Sequence, residues 1–465
     1  MADNKKRIYL CLAHMSGKEM DFIKEAFDTN WVAPLGPNVN GFEDDLRRFV
    51  NSAATSAIDP SASPQNDNAL PQNGIASSGD DSAVLLSEAK DPGREVVALA
   101  SGTAAVHLAL IACGVGPGDE VLVQSFTFCA SSHPVTYLGA TPVFIDSERD
   151  SWNMDPDLLE EAIKDRIAKT GKTPKAIIPV ALYGMPYQID RIMEIADRYG
   201  IPVIEDAAEG FGSRFDGKVL GTFGKYGVLS FNGNKMITTS GGGALICSSP
   251  EDKNRIMWYA TQAREAYPYY QHEAIGYNYR LSNVCAGIGR GQMTVADDHI
   301  AHHKRLKNLY KELLSDIEGV ELHDNPSLDR SVKEAGAVFD SNFWLITITI
   351  DSSLRIKGQE NAYKTVVQGA VGGAAGVVHA VDNPRTDCEP NDNVEALRVY
   401  LDKAGIEARP LWKPMHKQPV YKDAPAYVNG VSESLFKVGM CLPSGPLVTE
   451  DDVRFIARTI KEAIA

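Results

Sequence analysis

The sequence is poor in positive charge. Lys and Arg number 46 against 61 Asp and Glu, a net charge of −15, which excludes the basic face that nucleic-acid binding needs. No apolar run approaches the roughly 20 residues of a membrane-spanning helix. The basic residues of Met1-Ala2-Asp3-Asn4-Lys5-Lys6-Arg7 are followed by no long apolar segment, so no secretory leader is expected. The seven cysteines, Cys11, Cys113, Cys129, Cys247, Cys285, Cys388 and Cys441, show no CxxC spacing. An odd, unpatterned set excludes a disulfide framework and a zinc site, and reads as the reduced thiols of a cytoplasmic protein. No metal is expected. There is no internal repeat. No GxGxxG follows the first strand of the expected sheet, so a dinucleotide-binding Rossmann protein lacks support. Gly287-Ile288-Gly289-Arg290-Gly291 falls in a helical run, where glycine serves helix packing.

What is present is an ordinary globular composition over 465 residues, 44% of them apolar, enough for two or three lobes around a large core. The chain begins with a strand-like piece, Ile8-Tyr9-Leu10-Cys11-Leu12. Capping-box spacing at Ser16 and Glu19 predicts a helix to about Phe27, and a second helix runs from Asn40 to Val50. The stretch 52–93 is rich in Ser, Ala, Asp, Asn and Pro and reads as an inserted surface loop. From Glu95 short apolar strands alternate with helices: 96–100, 120–123, 142–146, 176–180 and 202–206. That alternation means an α/β fold with a mostly parallel sheet covered by helices on both faces. Ligands of such sheets bind beyond the carboxyl ends of the strands. The expected division is a large domain over 1–300, with 51–93 inserted, and a smaller C-terminal α/β lobe over 301–465. A glycine- and alanine-rich second insertion covers 352–393.

Four clusters fall at strand ends or turns. Ser101-Gly102-Thr103-Ala104-Ala105 is a strand–turn–helix whose free N–H groups suit a phosphate. Phe128 follows a strand end and can stack on a planar ring. Asp206, in Glu205-Asp206-Ala207-Ala208-Glu209, ends a buried strand and needs a cationic partner; a protonated pyridine nitrogen is one. Ala208 is small enough to lie flat under a ring. The fourth cluster is Ser230-Phe231-Asn232-Gly233-Asn234-Lys235, followed by Gly241-Gly242-Gly243, between two strand patterns. A lysine withdrawn from water there is a nucleophile toward carbonyls. Each cluster alone also has a structural explanation: a small-residue helix start, a core phenylalanine, an N-cap aspartate, a surface lysine. Their order along one sheet is that of a pyridoxal phosphate site.

With these residues, and with Gly276-Tyr277-Asn278-Tyr279-Arg280, the chain resembles the DegT/DnrJ/StrS family of pyridoxal-phosphate sugar aminotransferases, of fold-type I architecture. Asn30-Trp31-Val32-Ala33-Pro34-Leu35-Gly36-Pro37, Ser151-Trp152-Asn153-Met154 and Trp412-Lys413-Pro414-Met415-His416 resemble the branch that makes UDP-linked 4-amino-4,6-dideoxy sugars, which includes bacillosamine-pathway transaminases. The resemblance implies roles for matching positions. Lys235 bonds the cofactor aldehyde and Asp206 pairs with the pyridine nitrogen. Phe128 and Ala208 sandwich the ring, and Thr103, Ala104 and Ser230 hold the phosphate. Asn278 reaches the phosphate of the partner subunit's cofactor, which implies a homodimer with shared sites. Glu209, Tyr279, Arg280, Arg409 and His416 are substrate-binding candidates; for Arg409 and His416 the alternative is a structural polar role in the small lobe. One departure is Ala181-Leu182-Tyr183-Gly184, where family members often carry His-Leu-Tyr-Gly.

The expected reaction takes an amino group, from glutamate, to C4 of a UDP-linked 4-keto-6-deoxy sugar. Three alternatives stay open: a dTDP-ketosugar 3-aminotransferase, a pyridoxamine-phosphate sugar dehydratase, and a non-catalytic regulatory relative. Dehydratase relatives replace the lysine with histidine, so Lys235 argues against the second.

Overall fold

The computed structural model describes residues 7–52, 93–326, 338–364, 369–371, 374–376 and 388–464. Almost all of the first expected insertion, and much of the second, lies outside them. The start of the chain makes a single parallel bridge, Ile8 to Ile406, where a strand was expected. Helix α1 spans Glu19–Asp28 and α2 spans Pro37–Val50. The expected capping box forms by half. The Glu19 carboxylate accepts the N–H groups of Ser16 and Gly17 at 2.8 and 2.9 Å, whereas Ser16 Oγ accepts from Lys18 N. Gly17, at φ 88°, turns the chain so that the helix begins later than the box predicts. Pro37 at the first turn of α2 starts that helix before Asn40.

Among the described residues seven strands form the body of the main sheet: β1 (Glu95–Leu99), β2 (Glu120–Gln124), β3 (Thr141–Ile145), β4 (Ala176–Ile178), β5 (Ile204–Asp206), β6 (Tyr226–Ser230) and β7 (Gly243–Cys247), and the two-residue strand Ala426–Tyr427 adds to it in parallel beside β3. Their spatial order is β3-β2-β4-β5-β6-β7-β1, with parallel bridges Ile177–Val203 and Val180–Asp206 joining β4 to β5. β7 runs antiparallel to both neighbours, and the other six share one direction. Alternate residues pack into separate cores: Val96 and Ala98 on one face, Val97 and Leu99 on the other. Both faces are therefore buried, as a sheet covered by helices on two sides requires. Helix α3 (Gly102–Ala112) packs on the second face.

Farther along lie α4 (Asn283–Met293) and α5 (Ala296–Leu314). The expected division at residue 300 falls inside α5. A second sheet follows from β8 (Val320–Leu322), β9 (Ile346–Ile350), β10 (Arg409–Pro410) and β11 (Gly439–Leu442), in the order β8-β9-β11-β10 and antiparallel throughout. It has its own core, which includes Leu306, Tyr310, Ile348, Leu397 and Ile456. Within the second expected insertion, Gly369–Val371 and Ala374–Gly376 pair as a short antiparallel hairpin.

Candidate active site

Because six strands share a direction, their carboxyl ends lie along one edge. Ser101, Ser125, Ala181, Asp206 and Ser230 all end or follow strands there. Ser101 caps α3: its Oγ accepts the Ala104 N–H at 3.1 Å. The N–H groups of Gly102 and Thr103 come ahead of the first intrahelical bond, Ala105 N–H to Ser101 O, and so have no partner within the helix, as an anion site requires. The backbones here are tightly packed. A Cβ on Gly243 would lie 2.4 Å from the Gly102 nitrogen, so only glycine lets β7 start beneath the turn. Ser230 lies beside Gly102, whose Cβ would meet Ser230 Oγ at 3.6 Å.

Asp206 is buried. Ser131 Oγ donates to its Oδ2 at 2.6 Å and the Ala208 N–H to its Oδ1 at 3.1 Å. Burial pushes its carboxyl above the ordinary value, while Ser131, the Ala208 N–H and the Lys235 charge pull it down. Glu209 is also buried and raised by burial, with the Lys235 charge the main opposing influence. Its Oε2 accepts the Tyr183 N–H at 2.7 Å. To aim that N–H, Tyr183 adopts a left-handed backbone, φ 55°, a conformation that costs a bulky residue roughly 1–2 kcal/mol. The next residue must be glycine, since a Cβ on Gly184 would lie 1.9 Å from Asn342 Oδ1.

Lys235 sits in the connection over 231–242, between β6 and β7. Its Nζ lies 3.4 Å from Glu209 Oε1 and 3.9 Å from the centroid of the Trp344 ring. Phe128 stands 56% exposed, its ring edge-on to Trp412 at 6.2 Å. The structure thus brings together Thr103, Ala104, Ser230, Asp206, Ala208, Glu209, Lys235 and Phe128 at one edge of the sheet.

The remaining candidates are placed elsewhere or hold other partners. Arg280 is buried against Glu43, Nη1 to Oε1 at 2.5 Å, and donates to Ala98 O at 2.9 Å. Tyr279 stacks on Tyr277 and its hydroxyl meets His107 Nδ1 at 3.3 Å. Arg409 pairs with Glu407. His416 Nδ1 meets Ser125 Oγ at 2.7 Å and its Nε2 meets Glu433 at 3.3 Å, so it fastens the C-terminal lobe to the end of β2. Asn278 is exposed, on the segment bridged to Thr261. Reading the sequence missed Ser131, Asn342 and Trp344, and noted Tyr183 only within the Ala181-Leu182-Tyr183-Gly184 stretch without assigning it a role.

The site meets the demands of a pyridoxal phosphate. Two buried carboxylates, Asp206 and Glu209, share one lysine, and Asp206 has only uncharged hydrogen-bond donors. A protonated pyridine nitrogen at Asp206 supplies the missing cation. The α3 N-terminus suits the phosphate, and Phe128 presents an uncovered ring.

This constellation on this sheet defines a fold-type I, pyridoxal-phosphate-dependent aminotransferase. The sequence pattern of the DegT/DnrJ/EryC1/StrS aminotransferase family matches residues 92–362 and 377–461, and the chain belongs to that family. It is 40% identical over 451 residues to EpsN of Bacillus subtilis (strain 168), provisionally named a pyridoxal phosphate-dependent aminotransferase, covering 96% of this chain and 93% of that one. It is 30% identical to a GDP-perosamine synthase of Escherichia coli O157:H7, covering 96% of each chain. Among solved structures, a DegT DnrJ EryC1 StrS aminotransferase from Brucella abortus superposes with a TM-score of 0.72 at 26% identity, over 96% of this chain and 95% of that one. The chain is a sugar aminotransferase that uses pyridoxal phosphate. Among the described residues no helix is long and apolar enough to cross a membrane.

Proposed function

We propose that the protein moves an amino group from glutamate to C4 of a UDP-linked 4-keto-6-deoxy sugar, in the cytoplasm, as a homodimer with shared active sites. The observation that carries the transamination is the placement of Lys235 Nζ between Glu209 and Trp344, on the sheet edge that holds Asp206. When bound, pyridoxal phosphate supplies an aldehyde and an electron-withdrawing ring. Asp206 keeps the ring nitrogen protonated. Phe128 and Ala208 would hold the ring, and the α3 N-terminus with Ser230 would bind the phosphate. Lys235 Nζ would be the base that takes the proton from the donor's α carbon and, in the second half-reaction, the acid that gives one to the sugar carbon receiving the nitrogen. Glu209 Oε1, 3.4 Å away, would stay within reach of the Nζ between these tasks.

The dimer reading is supported by exposed apolar groups that a second copy would cover: Met20, Phe27, Trp31, Tyr270 and Ile275. Ile275 lies near the exposed Asn278. A GDP-linked sugar is the second reading, favoured by the name of the perosamine synthase relative.

The decisive variant is Lys235→Ala. It should lose the visible absorption of the bound cofactor, borohydride labelling at residue 235, and all transamination; retained turnover would refute the mechanism. Mass spectrometry of products from UDP-, GDP- and dTDP-ketosugars with glutamate identifies the sugar. A product that has lost a hydroxyl without gaining nitrogen would replace this reading with a dehydratase.

A further inference from the structure

Lys235 lies 3.4 Å from Glu209 Oε1, beyond the usual range of about 2.7–2.9 Å for a charge-assisted N–H···O bond. The carboxylate therefore does not hold the amine firmly. The closer-fitting partner is an aromatic face: Nζ stands 3.9 Å from the Trp344 ring centroid, and the lysine side chain is only 14% exposed. Tryptophan is the strongest side-chain partner for a cation, and desolvation strengthens the attraction.

Trp344 is itself fixed on every side. Its Nε1–H donates to Asn234 O at 2.7 Å, the residue before the lysine. Its backbone N–H donates to Asn342 Oδ1 at 2.8 Å, and its carbonyl accepts from Ser444 Oγ at 2.8 Å. Asn342 Nδ2 meanwhile donates to Glu209 O at 2.9 Å. One amide side chain thus sets both walls around Nζ. Two α5 histidines flank the arrangement: His299 Nδ1 bonds Met236 O and His303 Nδ1 bonds Phe343 O, each at 3.1 Å.

We infer that Trp344 is a positioning residue, the seat on which the Lys235 amine rests whenever it is not bonded to the cofactor. A four-carbon lysine stem has many rotamers, and ordering it costs entropy. The ring restricts the amine to an arc between Glu209 and the reacting carbons. The inference rests on the role given to Lys235 above.

The test reads Lys235 in the cofactor-free protein, by competitive acetylation with acetic anhydride and mass spectrometry of the residue-235 peptide. Trp344→Leu should raise its reactivity roughly tenfold, and Trp344→Phe less, in the order of cation–π strength. Because leucine in this buried place can prevent folding, wild-type protein grown with mono-, di- and tetrafluorotryptophan provides a near-isosteric series. Lys235 reactivity should climb with each added fluorine. A flat fluorine series, or a folded leucine variant with unchanged reactivity, overturns the inference. In the loaded enzyme Trp344→Leu should lower kcat and leave the KM for glutamate within about twofold, as loss of a positioning contact predicts. Borohydride should still label residue 235 in that variant. Absence of label in the wild type would instead sink the reading of Lys235.

Discussion

Arg280 was a substrate-binding candidate by resemblance, yet its guanidinium is 7% exposed and its partner Glu43 9%. Glu43 Oε1 also accepts the Ala98 N–H at 2.7 Å, and Arg280 Nη1 donates to Ala98 O. The pair fastens α2 and the 276–280 stretch onto edge strand β1. Arg280→Met leaves a buried carboxylate without its cation, a loss of about 3–5 kcal/mol. For 465 residues the unfolding entropy is about 1 kcal/mol per degree, so Tm should fall by about 3–5 °C. Glu43→Gln added to Arg280→Met removes the stranded charge and keeps an acceptor for Ala98 N. The Ala98 carbonyl then loses the guanidinium but keeps the Leu281 N–H at 3.3 Å, a loss of about 0.5–1.5 kcal/mol, or roughly 0.5–1.5 °C. Differential scanning calorimetry reads all three proteins, and steady-state kinetics gives the KM for the sugar. A single variant that keeps its Tm while its sugar KM climbs would refute the structural role and return Arg280 to the substrate.

The other tests address the site directly. Asp206→Asn should cut kcat by more than about a hundredfold, because the ring nitrogen loses its anion. The same change should stabilise the cofactor-free protein at neutral pH. Burial holds the Asp206 carboxyl above its ordinary value, so the folded state binds that proton more tightly than the unfolded one. Its contribution is therefore present below the ordinary carboxyl range and is lost as pH rises through the raised value. The Tm advantage of the asparagine variant should vanish in acid, and an advantage independent of pH would contradict this account. Phe128→Ala removes an exposed ring and should leave Tm nearly unchanged. Loss of about 1 kcal/mol of stacking should weaken cofactor retention roughly fivefold, measured by equilibrium dialysis.

The core of the site was legible because its chemistry is local. Asp206 follows directly on an apolar strand, Ser101-Gly102-Thr103 opens a helix, and Lys235 lies in a small-residue connection; each announces a strand end. Strand direction was not legible. β7 reads as one more apolar run, and nothing in Gly243–Cys247 states that it opposes its neighbours. Partners distant along the chain were hidden as well. Glu43 and Arg280 are 237 residues apart, and Trp344 bonds the backbone of Asn234 across 110. Charge pairing and packing choose such partners only once the sheet exists.

The hidden contacts share a purpose that the legible ones do not reveal. Asp206, Ser101 and Ser230 end or follow strands of the main sheet, and Ser131, Ala208 and Ala104, which hold the first two, lie in segments that follow its strands. Lys235 differs: the ring beneath it comes from the residue pair leading into β9, and Asn342 fastens that pair to the Glu209 and Phe211 carbonyls. Ser213 Oγ accepts the Asn342 N–H and donates to Gly184 O, which draws the strained Tyr183–Gly184 turn into the same network. The turn supplies the N–H that Glu209 accepts. A shift of the second sheet relative to the first would thus move the ring, and through Asn342 the carboxylate, together. The position of the amine between them is a property of the interface between the sheets, which is why neither half of the sequence read alone could contain it.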